Sequence, residues 1–108
     1  MDVATERLVF PMKIILSKEA LLWFKEEMEA EPGDAIRFFA RYGGSSSIQA
    51  GFSLGVTKEQ PDEVAIETEH NSVRYYIESR DKWYFLGHDL HVNVDPKLHE
   101  LIYSYEKA

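Results

Sequence analysis

Apolar residues recur along this chain with two different periods, and the change of period divides it. From Ala20, the positions Leu21, Phe24 and Met28 return at helical spacing with Trp23 alongside, while Lys25, Glu26 and Glu29 fall on the other side. That repeat predicts an amphipathic helix. Ser17 is a suitable N-cap, Glu19 in the first turn suits the helix dipole, and Pro32-Gly33-Asp34 supplies the turn that ends the segment. A strand-like stretch, Lys13-Ile14-Ile15-Leu16, precedes it. Beyond Ala35 the texture shifts to short runs of β-branched and aromatic residues, Ala35–Tyr42, Gly51–Val56, Val64–Thr68, Val73–Ile77, Trp83–Leu86 and Leu90–Val94, which read as strands. Glu69-His70-Asn71-Ser72 offers turn residues for a hairpin between the third and fourth. Asp95 followed by Pro96 resembles an N-cap with proline in the first turn. Leu98, Leu101, Ile102 and Tyr105 then follow at helical spacing, predicting a short closing helix. The order helix, strands, helix is that of an α+β domain on a mostly antiparallel sheet. Trp83, Tyr84 and Phe85, with Tyr75 and Tyr76, either form an exposed interaction patch or alternate between core and surface; the core is favoured, because a small domain needs its aromatic area inside.

Composition narrows the function classes. At 108 residues the chain makes one domain. It is read as a domain over 12–108 behind a leader of uncertain order over 1–11, Met12 being an alternative start. There is no cysteine, which excludes disulfides, thiolate metal sites and cysteine nucleophiles. A formal charge of −7 repels nucleic acid and anionic membranes. The longest apolar run is too short to span a bilayer and no secretory signal is visible, so the cytoplasm is the default location.

Candidate chemistry is sparse. Gly43-Gly44-Ser45-Ser46-Ser47 is read as a strand-to-strand connection able to present backbone amides to an anion. Arg37 and Arg41 share one face of the strand leading into it; either they bind an acidic ligand or they pair with carboxylates of the domain. His88, Asp89, His91 and His99 form the one metal-like cluster, although positions 88 and 91 of a strand face opposite ways; the favoured reading is a turn at Gly87-His88-Asp89 between two strands, with His88 and Asp89 bonding nearby backbone groups. The serines lie in no nucleophile-elbow motif. No catalytic residues are assigned and the chain is read as no enzyme, with no cofactor.

The segments Arg37-Phe38-Phe39-Ala40-Arg41-Tyr42-Gly43-Gly44, Gly51-Phe52-Ser53-Leu54-Gly55, Trp83-Tyr84-Phe85 and Gly87-His88-Asp89-Leu90 together resemble the HesB-like, or A-type iron-sulfur carrier, family, and in particular a cysteine-lacking bacterial subgroup. The resemblance implies a twisted, mostly antiparallel β-sandwich or pseudo-barrel with an N-terminal helix and a short C-terminal one. Ser45 stands where that family has its first cysteine, and the Cys-Gly-Cys pattern near its C terminus is absent, so the cluster ligands do not carry over. What the resemblance implies is a non-catalytic accessory or binding role in iron-sulfur assembly, with a protein partner there or a second copy of the chain, and a binding site at Arg41, Gly43, Gly44 and Ser45. A metal-binding protein using the His/Asp cluster and a small enzyme are the alternatives.

Overall fold

Ile14 and Leu16 turn inward while Ile15 turns out, the alternation of a half-buried strand, and the computed structural model opens its described part, residues 12–107, with strand β1 (Ile14–Leu16). The leader expected over 1–11 lies outside the described residues. Helix α1 (Lys18–Glu27) starts where its cap predicts, the Ala20 N–H donating to Ser17 Oγ at 3.0 Å. It stops before Pro32. Met28 and Ala30 both donate backbone N–H groups to the Phe24 carbonyl, and the intervening Glu29 is left-handed at φ 52°, a C-terminal cap built without glycine.

Strands β2 (Ala35–Ser45), β3 (Ala50–Lys58), β4 (Val64–His70) and β5 (Val73–Glu78) form a sheet in the order β3-β2-β5-β4. The β4–β5 hairpin is the predicted one. Its two-residue turn, Asn71 and Ser72, has φ of 53° and 64°, the paired positive values that match the twist of tight hairpins. After a 3₁₀ turn (Ser79–Phe85), β6 (His88–Val94) pairs parallel with β1 and antiparallel with β7 (Leu101–Lys107) in a second, three-stranded sheet. Phe24 from the helix, Ile36, Phe38, Tyr75 and Ile77 from one sheet, and Leu90 and Val92 from the other meet in a shared core.

The domain is α+β, but three expectations are corrected. The strand pairing is mostly antiparallel as expected, with β1–β6 and β2–β5 parallel, but among the described residues no strand pairing joins the two sheets into a closed barrel. The closing helix is strand β7. Asp95 does cap one turn, accepting from the Lys97 and Leu98 N–H groups at 2.8 and 3.0 Å, but His99 is left-handed at φ 58° and turns the chain out of it. Leu101, Tyr103 and Tyr105 then face the core while Ile102, Ser104 and Glu106 face out, and all seven residues pair with β6. The strand expected over Trp83–Leu86 is the end of the 3₁₀ turn, closed by left-handed Leu86 at φ 48°.

Candidate functional site

Strand β5 pairs with β2 only at Ala35, Ile36 and Arg37. Beyond that point β2 has β3 as its ladder partner, so the hairpin continues outward as a two-stranded ribbon. Near its tip the register shifts between Tyr42 and Ser45, setting Gly43 and Gly44 into one bulge at φ 109° and 69°. A side chain at Gly44 would crowd Ser53 Oγ at 3.2 Å, so glycine suits both the backbone and the space there. The connection proper is shorter than predicted, Ser46 to Gln49, closed by Ser46 Oγ and the Gln49 backbone. Thus Gly43, Gly44 and Ser45 shape a bulged strand end.

Directly before the bulge, Tyr42 stands 92% exposed. Its ring meets Phe52 edge-on across the ladder at 5.7 Å, and Phe52 meets Trp83 of the 3₁₀ turn at 5.1 Å. The row continues inward through Tyr84 to Tyr105, whose hydroxyls lie 3.1 Å apart. Trp83 and Leu86 are half exposed, whereas Tyr84, Phe85, Tyr75 and Tyr76 are buried as expected. The outer end of the row is therefore a surface of aromatic edges anchored on an ordered interior. Gln49 Nε2 donates to the Tyr84 carbonyl at 3.3 Å, tying ribbon to turn. The expectation of a buried Trp83 and the omission of Tyr42 share one cause: the ribbon outruns the sheet that would cover it, and pairing lengths are not written in local sequence.

Arg37 and Arg41 are four residues apart on β2, and they divide the two readings between them. Arg37 bonds Asp81 at 2.7 Å and Glu59 at 3.3 Å and covers the ring of Phe39. Asp81 also accepts from the Ala40 N–H at 3.4 Å, filling the open edge of β2. Arg41 makes no ion pair among the described residues. Its stem crosses Gly55, where a Cβ would sit 2.5 Å from Arg41 Cδ, and it borders a hollow of about 270 Å³ with Trp23, Leu54, Leu101 and Tyr103.

Burial, and then the nearby Tyr84, push the Tyr103 hydroxyl up to about 12, with Arg41 acting the other way. Tyr105 is raised as well, by burial and by its bond with Tyr84. A raised folded-state value stabilises the protein below the ordinary tyrosine range near 10, and this contribution is lost as pH rises through about 12. Stability measured by urea denaturation should therefore fall between about pH 10 and 12, by on the order of 2 to 3 kcal/mol for Tyr103, and Tyr103→Phe should remove part of that slope. A flat profile would refute it.

The metal-like residues are not brought together. His88 Nδ1 lies 3.0 Å from the Phe85 carbonyl, Asp89 accepts from the Lys13 N–H at 2.7 Å, His91 faces Glu106 across the β6–β7 ladder at 3.4 Å, and His99 sits in the turn before β7. Among the described residues no three His, Asp or Glu groups converge as ligands. No helix there is long and apolar enough to cross a membrane.

No family model matches the chain, and no solved structure matches it. It is 43% identical over 95 residues to a Bacillus subtilis protein named pyruvate dehydrogenase inhibitor, covering 88% of this chain and all of that one. Uncharacterised proteins of Staphylococcus saprophyticus and Staphylococcus aureus are 38% and 37% identical over 96 residues, with 86% of this chain and 98% of each relative covered. These findings correct the resemblance to HesB-like iron-sulfur carriers and the assembly role it implied: the named relative points to another family. They equally lend nothing to the metal-binding or enzyme alternatives.

Proposed function

The chain belongs to the family of the Bacillus subtilis pyruvate dehydrogenase inhibitor, and from that premise we propose that it is a non-catalytic protein that binds a pyruvate dehydrogenase and lowers its activity. The observation that carries this reading is the 43% identity across the whole length of the named relative.

The ribbon tip supplies the contact. Tyr42, Phe52, Trp83 and Leu86 form its apolar centre, and aromatic anchors of this kind dominate the energetics of protein interfaces. Because the rings are stacked on a buried row, little side-chain freedom is lost on docking. Arg41, which makes no ion pair among the described residues, offers its planar guanidinium to a carboxylate of the partner. Gly43, Gly44 and Ser45 set the bulge that aims Tyr42 outward.

Titrating the purified chain into a pyruvate dehydrogenase complex should reduce pyruvate turnover in a saturable way. Tyr42→Ala and Trp83→Ala should each weaken inhibition by about tenfold or more, as truncation of interface anchors does, with the far-UV spectrum unchanged. No inhibition and no binding would sink the function; full inhibition by both variants would sink the surface.

A further inference from the structure

A second concavity lies on another part of the molecule, between α1 and the β4–β5 hairpin. It is a half-open groove of about 560 Å³, within the range of small-molecule sites. Leu21, Leu22, Val73 and Tyr75 give it an apolar floor, and Lys18, Lys25 and His70 stand on its walls. In a chain with 19 acidic and 12 basic residues, no carboxylate among the described residues lines it. Neither lysine forms an ion pair among the described residues.

Helix stability accounts for Lys25, which sits in the last turn of α1 where the dipole favours a cation, but not for Lys18. Lys18 opens α1, where the dipole disfavours a cation, and Leu22 remains 53% exposed beside the groove. Lys18 and Lys25 are two turns apart, so they lie on one face about 10 Å apart along the axis. An elongated apolar body can thus rest on the leucines while an anionic head reaches either ammonium or the His70 imidazole.

From this charge complementarity we infer that the groove binds an amphipathic small-molecule anion: a carboxylate, sulfonate or phosphate ester carried on an apolar chain or ring. The site is separate from the ribbon tip and does not depend on the inhibitory reading.

Decanoate and its uncharged counterpart decanol are suitable probes, followed through amide and methyl chemical shifts of the full chain. Decanoate should perturb Leu21, Leu22, Val73 and Tyr75 and should bind at least about fivefold more tightly than decanol, the scale of two partly exposed charge contacts. Lys18→Gln with Lys25→Gln should erase that preference; glutamine sustains a helix nearly as well as lysine, so the fold is kept. Leu22→Glu, which puts a carboxylate into the groove, should abolish decanoate binding. Equal affinity for the two probes, shifts elsewhere, or unaltered binding by the lysine variant would overturn the inference. So would failure of decanoate alongside capture of an acidic leucine-rich peptide, which would assign the groove to a protein partner.

Discussion

Phe24→Ala should destabilise the protein by about 3 to 5 kcal/mol, the cost of deleting a fully buried aromatic ring and leaving its cavity. The ring is wholly enclosed. It meets Trp23 at 5.4 Å, Phe38 at 6.0 Å and Tyr75 at 5.3 Å, so one side chain joins the helix to two strands of the larger sheet. Rigid aromatic neighbours collapse poorly into a void, which favours the upper end of the range. A domain of this size has only about 5 to 15 kcal/mol in total, and the variant should therefore be partly unfolded at modest urea concentrations. Leu22→Ala, two positions away on the exposed side, should change stability by less than about 1 kcal/mol. Comparable losses in the two variants, at unchanged denaturant slope, would show that the helix does not seat as described.

Asp81→Ala should cost a similar amount, about 3 to 5 kcal/mol, for an electrostatic reason. The Arg37 and Asp81 side chains are 12% and 9% exposed, and their 2.7 Å contact is the shorter of the two ion pairs Arg37 makes. Arg37 Nε already lacks a hydrogen-bond partner among the described residues. Removing Asp81 would leave a largely desolvated guanidinium to Glu59, which is nearly half exposed, and would also strip the Ala40 N–H of its acceptor. Replacing the pair together, Arg37→Met with Asp81→Leu, should recover most of the loss, since the penalty belongs to the uncompensated charge and not to the absence of the bridge. A double variant no more stable than Asp81→Ala would contradict this. Because the pair is shielded, its contribution should persist in high salt.

Much of the fold is legible in local pattern. Ser17 caps what it should cap, the alternation of Val73, Tyr75 and Ile77 marks a core-facing strand, and the β4–β5 turn falls where its residues predict. Two segments are misread for opposite reasons. Leu98, Leu101, Ile102 and Tyr105 satisfy a helical period, yet Leu101, Tyr103 and Tyr105 satisfy a strand period equally, and seven ladder positions on β6 decide between them. Trp83-Tyr84-Phe85 has strand-like composition, but Asp81 holds this segment against β2 through a side-chain bond, where a strand would have used its backbone. Of the candidate site, Arg41 and the Gly43-Gly44 pair stand out in the sequence, but as part of a connection and not of a bulged strand end. Tyr42 is not, because its exposure follows from how few residues of β2 find β5.

The parallel seam between β1 and β6 also constrains how the chain reaches this state as it is made. Ile14, Ile15 and Leu16 pair with Leu90, His91 and Val92, so the first described strand waits for one more than seventy residues downstream. During synthesis at about 5 to 20 residues per second, α1 and β2 to β5 all emerge before β6 does. Until β6 emerges, Ile14 and Leu16 have no strand to pair with. Contacts of such sequence separation slow folding, and they make the two ends of the domain arrive in the native structure together.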